Sequence, residues 1–277
     1  MSATFENATT KSVDVDGTKF VFREIGRPGG VPVLLLHHLT AVLDDWDPKV
    51  VDGLATKHHV IAFDNRGVGG SGGSTPKTVE EMARDGVAFI RALGFSKVDL
   101  LGFSLGGFIA QIIAQQPGVV RKMILAGTGP AGGDGIANVG AVLQDAFGKA
   151  GATNKHPKHY LFFTQTSNGQ AAADDFLRRL KERAKDLDAP VSNETVQAQV
   201  AAIQAWGHGD ATTLGTVQHP VLVVNGDDDV MVPSFNSFEL ARRLPNAQLS
   251  IFPDAGHGGI FQYHAAFVHQ ALAFLQQ

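Results

Sequence analysis

Residues 97–101 (Lys-Val-Asp-Leu-Leu) form a strand-like apolar run, and residues 107–114 form a helix-like one. Between them stands Gly102-Phe103-Ser104-Leu105-Gly106, which leaves room for nothing but a sharp turn. A strand that passes into a helix this abruptly has to be packed beside other strands, with its helix folded back against them. Glycines suit positions 102 and 106 because a side chain at either would collide with the neighbouring strand or helix. The serine at the apex takes a strained backbone, and its hydroxyl stands clear of the sheet at a helix N-terminus. Backbone N–H groups beside it are able to stabilise an oxyanion. As five letters the pattern is weak in a chain with 32 glycines. Its strand-to-helix setting gives it meaning.

Around this turn the chain alternates strand and helix signals. Residues 12–16 and 18–25 read as two strands joined at Gly17. Residues 33–36, 60–63 and 121–126 are short continuous apolar runs, suited to strands buried on both faces. Residues 46–57 are helix-like. Thr78 opens a further helix as N-cap, with Glu81 three residues on, apolar positions Met82, Val87, Phe89, Ile90 and Leu93, and a stop at Gly94. From about residue 130 to 212 strand signals are few. A glycine-rich stretch there gives way to polar helical segments, 174–188 and 193–206. Strands resume at 220–224 and 247–252, and a last helix spans about 259–275. The pattern predicts an α/β fold with a mostly parallel, helix-flanked sheet. It divides the chain into a core of residues 1–129 and 213–277 and a helical cap of residues 130–212, placed over the C-terminal strand ends where such sheets carry their sites.

Length and composition exclude several classes. The 277 residues, 44% of them hydrophobic, supply a sizeable core, and the net charge of −4 leaves no basic face for nucleic acid. No cysteine is present, which removes disulfides and thiolate metal sites. The first ten residues carry no apolar run or early positive charge, and no stretch of 18 apolar residues occurs. A cytoplasmic protein without signal peptide or transmembrane helix is therefore expected, taking a small-molecule substrate rather than a nucleic acid or a membrane.

A serine hydroxyl needs a base, and the base needs a group that fixes its tautomer. Of the 11 histidines, His257 is best placed. It follows a strand-like run, lies in the tight loop Gly256-His257-Gly258, and precedes a helix, which puts it on the same sheet edge as Ser104. The acid is sought after a strand between the two, where Asp227, Asp228 and Asp229 follow residues 221–226. Asp229 is preferred, with Asp228 second.

The order Ser104, Asp229, His257 resembles that of the α/β-hydrolase family. Gly226-x-x-Asp229-x-x-Val232-Pro233 resembles the family's acid loop, and residues 64–71 (Asp-Asn-Arg-Gly-Val-Gly-Gly-Ser) its Asp-x-Arg-Gly-x-Gly-x-Ser turn. The similarity covers nearly the whole chain and is nearest in style to small lidded serine esterases, lactonases and perhydrolases. It implies catalysis by Ser104, His257 and Asp229 without metal or organic cofactor, on a carboxylic ester, thioester or lactone. After the third strand the family commonly has His-Gly, and the next residue lends its N–H to the oxyanion. Here His37 matches, His38 replaces the glycine, and Leu39 falls on the donor position. The implied oxyanion hole is the N–H groups of Leu39 and Leu105. His38 either enters the pocket as an extra donor or packs outward. A non-hydrolytic member of the fold, such as a cofactor-free lyase or oxygenase or a small-molecule receptor, is the second reading, and His38 is its foothold.

Other features weigh less. Two Gly-x-Gly-x-x-Gly segments, starting at Gly67 and Gly127, do not open the first strand–helix–strand unit and launch no clean helix, so no dinucleotide is expected. His37, His38, Asp44 and Asp45 lack the spacing of a metal site. Trp206 and Phe103 are read first as core packing, with a place in the substrate pocket as the alternative for each.

Overall fold

The apolar runs become strands β1 (Lys11–Val15), β2 (Thr18–Ile25), β3 (Val33–Leu36), β4 (Val60–Phe63), β5 (Val98–Phe103), β6 (Val120–Ala126), β7 (Val221–Gly226) and β8 (Ala247–Phe252). In the computed structural model, which describes residues 4–211 and 213–277, they form a single sheet in the order β1-β2-β4-β3-β5-β6-β7-β8. β2 pairs antiparallel with β1 and β4, and every other neighbour is parallel. The hairpin turns on Asp16 and Gly17, at φ +50° and +78°, the two positive values that a tight type I′ turn requires. β3, β4, β5 and β7 are buried at every position, which is why their sequences do not alternate.

Helices cover both faces, as expected of this fold class. α1 (Pro48–Ala55) starts later than residue 46 because Asp47 caps it, accepting from Lys49 N–H at 3.0 Å. α2 (Val79–Ala92) is capped by Thr78 as its sequence predicts, and α3 (Leu105–Ile113) follows the serine turn. Between β6 and β7 come α4 (Val139–Thr153), α5 (Lys158–Leu161), α6 (Ser167–Leu180) and α7 (Asn193–Gly207), with no strand among the described residues. α8 (Phe235–Arg243), α9 (Gly259–Gln262) and α10 (His264–Gln276) complete the chain. Residue 212, the last of the expected cap, and residues 1–3 lie outside the described residues. No helix among those described is long and apolar enough to cross a membrane.

Several helical expectations are corrected. The helix expected over 174–188 is α6, shifted towards the N-terminus because Thr166 caps it by accepting from Gly169 N–H at 3.0 Å. Beyond it Asp186 takes a positive φ of 53°, which no helix tolerates. The expected last helix is broken at Tyr263. α4 hides in the glycine-rich stretch, where burial of Val139, Ala146 and Ala150 outweighs weak propensity.

The 130–211 insertion is fastened to the sheet by buried ion pairs. Arg179 of α6 donates to Asp47 from Nε (3.0 Å) and Nη2 (2.6 Å), and Nη2 also reaches the Phe261 carbonyl at 3.2 Å. Asp47 is fully buried and Arg179 nearly so. Arg23 of β2, also fully buried, donates to Asp44 at 2.5 Å and to Asp188 of the insertion at 3.2 Å. Removing one partner of such a pair strands the other charge in low dielectric. Asp47→Ala is expected to lower the unfolding free energy in urea by about 3–5 kcal/mol, with Asp47→Ala/Arg179→Met less destabilised than the single variant. A loss below about 1 kcal/mol would show the pair to be no better than a surface one.

Candidate active site

Ser104 ends β5 and begins α3 with φ +56° and ψ −117°, a conformation that few side-chain-bearing residues adopt. The flanking glycines make it possible. A Cβ on Gly102 would lie 2.4 Å from the Gly106 carbonyl oxygen, and one on Gly106 would lie 2.0 Å from that of Leu36 in β3. The apex is further pinned by Ser104 N–H donating to Ala126 O at 2.9 Å and by the Thr128 hydroxyl donating to Ser104 O at 2.9 Å. Leu105 occupies the first position of α3, where an N–H has no acceptor within its own helix.

β7 and β8 deliver the other two groups. Asp229 is buried, and its Oδ1 accepts from the N–H groups of Met231 (2.8 Å) and Val232 (2.9 Å). Its Oδ2 lies 2.8 Å from His257 Nδ1. A carboxylate in this role only accepts, so Nδ1 carries the hydrogen and Nε2 of the neutral ring keeps its lone pair. Asp228 is exposed, and Asp227 turns its Oδ1 to Ala255 N–H at 3.1 Å. Of the three aspartates, only Asp229 meets the imidazole. The His257 loop is tied to the insertion: Gly258 N–H donates to Phe162 O at 2.7 Å, and a Cβ on Gly256 would lie 2.8 Å from the same oxygen.

Ser104 and His257 open onto one cavity of about 800 Å³. His38, Leu39, Thr40 and Met231 line it from the sheet side, and Leu143, Phe147, Leu161, Phe162 and Val196 from the insertion. The insertion's Lys158 crosses to Asp45 at 2.5 Å within the wall, its ammonium 5.6 Å from the centre of the Phe162 ring. This pair, 113 residues apart in sequence, left no local signal to read. Lys158 and its own hydrogen bond hold the Asp45 carboxyl down at about 2 against the opposing effect of burial.

His38 faces the cavity wall rather than packing outward. Its ring stands edge-on to Phe103 and Phe162, with centroids at 5.4 and 5.2 Å. Its Nδ1 lies 2.7 Å from Leu39 O, an atom that only accepts, so here too Nδ1 carries the hydrogen. Burial, aided by the Lys158 charge, pushes its pKa down to about 3, and burial does the same to His37. Both rings are neutral at ordinary pH.

The two residues given the pocket as an alternative lie elsewhere. Phe103 is fully buried behind the cavity, its ring 4.9 Å from that of His257, because inward-facing residues of β5 point into the core. Trp206 stacks on Phe108 at 5.2 Å and donates from Nε1 to Gly129 O at 3.3 Å. It borders a separate cavity of about 380 Å³ beside Gln111. Phe162, whose ring lies 5.4 Å from that of His257, and Phe147 are the phenylalanines that line the cavity. Among the described residues no three histidine, aspartate or glutamate side chains gather as metal ligands.

Residues 31–262 match the family model described as alpha/beta hydrolase fold. The chain is similar to a poly(3-hydroxyalkanoate) depolymerase of Ectopseudomonas oleovorans, 31% identical over 91% of this chain and 87% of that protein. A non-heme haloperoxidase of Rhodococcus erythropolis is 28% identical over 88% of this chain and 90% of its own length. Among solved structures, an alpha/beta hydrolase fold protein from Chitinophaga pinensis superposes with a TM-score of 0.92 at 39% identity, covering 99% of this chain and all of that one. The serine turn, the sheet order and these matches agree, and the chain belongs to the alpha/beta hydrolase family.

Proposed function

We propose that this protein hydrolyses carboxylic esters, thioesters or lactones of small molecules through an acyl-enzyme on Ser104. The observation that carries the reading is the His257–Asp229 pair, with Nδ1 held by the carboxylate at 2.8 Å and the ring facing the cavity that Ser104 faces. Ser104 Oγ attacks the substrate carbonyl while His257 Nε2 takes its proton. The imidazolium that forms is stabilised by Asp229, which two backbone N–H groups keep aimed at it. The tetrahedral oxyanion lies against the N–H groups of Leu39 and Leu105, each worth about 2.7–4 kcal/mol of barrier. His257 then returns the proton to the leaving alcohol or thiol, and the acyl group remains on Ser104. In the second half, water loses its proton to His257 as it attacks the acyl carbonyl; the adduct then collapses, the acyl–Oγ bond breaks as His257 returns that proton to Ser104 Oγ, and the acid departs.

The insertion acts as a cap. It supplies much of the cavity's apolar wall and keeps bulk water from the acyl group. A relative named as a poly(3-hydroxyalkanoate) depolymerase supports an acyl-transfer role of this kind. The proposed cycle calls on no metal or organic cofactor.

A panel of p-nitrophenyl esters and lactones tests the reading. Ser104→Ala is expected to lose at least about 10³-fold in kcat and to escape labelling by a fluorophosphonate that marks the wild type. Wild-type turnover by Ser104→Ala would end the proposal, and ligand-induced thermal stabilisation without any turnover would favour a receptor. Asp229→Asn is expected to lower kcat by about 10⁴-fold, because the amide no longer selects the productive tautomer. The acid limb of the activity profile checks the part played by His38. Burial keeps His38 neutral down to about pH 3, so a His38→Gln variant is expected to leave the midpoint of that limb in place. A midpoint that moves with His38→Gln would assign the limb to His38.

A further inference from the structure

The loop after β3 carries its own strain. Ala41 N–H donates to His38 O at 3.2 Å, closing a turn over Leu39 and Thr40. Thr40, the third residue, has φ +62°, while Leu39 is not among the residues with positive φ. A positive φ at the third position alone is the type II arrangement, which normally asks for glycine. A β-branched threonine there is an outlier that the surroundings must enforce.

Both ends of the peptide between Leu39 and Thr40 are held. Its carbonyl accepts from His38 Nδ1 at 2.7 Å. Its N–H donates to Gln199 Oε1 at 2.7 Å, and Gln199 is a fully buried residue of α7 in the insertion. Without these contacts the turn is free to relax to type I, which needs no positive φ and rotates this peptide by roughly 150°. The two turns share φ at the second residue, so the flip itself spares the Leu39 N–H; what the loss of the two hydrogen bonds releases is the position of Leu39, and its N–H with it.

We propose that Gln199 and His38 are positioning residues that clamp this turn and so aim the Leu39 N–H at the oxyanion. The inference rests on the reading of Leu39 as an oxyanion donor in ester hydrolysis. On this view His38 replaces the usual glycine with an imidazole that stabilises the turn from within. The insertion contributes to chemistry on the sheet through Gln199, besides enclosing the substrate. Neither side chain reacts: they act through Leu39, where a displacement of about 1 Å is enough to cost two orders of magnitude.

The test uses the full-length protein, p-nitrophenyl butyrate and phenylboronic acid, which adds to a reactive serine as a tetrahedral adduct. Gln199→Met keeps the length of the side chain and removes the acceptor, whereas Gln199→Glu, neutral when buried, keeps an acceptor oxygen. Gln199→Met is expected to lower kcat about 10–100-fold with KM within about twofold, and to weaken boronate inhibition by the same factor as kcat. Gln199→Glu should bring both back to within about fivefold of wild type. Adding Thr40→Gly to Gln199→Met should recover kcat as well, because glycine takes the positive φ without help. If Gln199→Met does not fold alone, this double variant and Gln199→Glu decide. Folded Gln199→Met with wild-type kcat and boronate affinity overturns the clamp, as does a double variant no better than about 1% of Gln199→Glu. Ser104-dependent turnover that ignores Gln199 sinks only this inference, whereas turnover that ignores Ser104 sinks the hydrolase reading with it.

Discussion

The contact on which the site depends is that between Gly106 and the Leu36 carbonyl, where a single added carbon would come within 2.0 Å. This approach presses the first turn of α3 against the end of β3. Beside it Ser104 takes a strained conformation, φ +56°, at a cost of about 1–3 kcal/mol held by the surrounding sheet. It also brings the loop after β3 beside the serine, so that Leu39 and Ser104 line one cavity. The serine turn and the loop after β3 are two sides of one close packing. A residue larger than glycine at 106 would separate them together.

The second constraint is that the insertion does not rest loosely on the sheet. Arg179 with Asp47, Arg23 with Asp188 and Lys158 with Asp45 each join a carboxylate across the boundary, and the two arginines are almost entirely desolvated. Asp254, three residues before His257, accepts from Thr164, Thr166 and Asn168 at the start of α6. Those bonds and the one from Gly258 to Phe162 O fix the histidine loop to the insertion. Buried charge pairs are poor sources of net stability, but they penalise any arrangement that parts them. The cavity wall and the His257 loop therefore move as one unit or not at all.

The fold was legible because its strands are short, continuous and apolar, and because glycine and threonine mark the helix ends. Ser104, His257 and the preference for Asp229 could be read because each stands in a loop whose neighbours have a steric or hydrogen-bonding reason to be there. The insertion was less legible. Its helices have weak apolar faces, α6 is set by a cap at Thr166, and α4 contains glycines that a propensity argument discards. The cavity residues Asp45 and Lys158 meet only through the tertiary fold, as do Gln199 and Thr40. Phe103 and Trp206 pack in the core, the first of the two readings their sequence allows. Phe103 does so by backing both His38 and His257.

That shared backing sets two imidazoles side by side in different surroundings. In each ring Nδ1 faces an acceptor, the carboxylate of Asp229 for His257 and the carbonyl of Leu39 for His38. The tautomer is the same in both, but the consequence for a proton differs. A carboxylate gains from facing an imidazolium, whereas a carbonyl dipole offers far less and Lys158 opposes it outright. His38 is thus held down at about 3 by burial and by that neighbouring ammonium. His257 has the counter-ion that a proton acceptor requires. Two imidazoles against one phenylalanine ring are set apart by what stands at Nδ1, a carboxylate for His257 and a backbone carbonyl for His38.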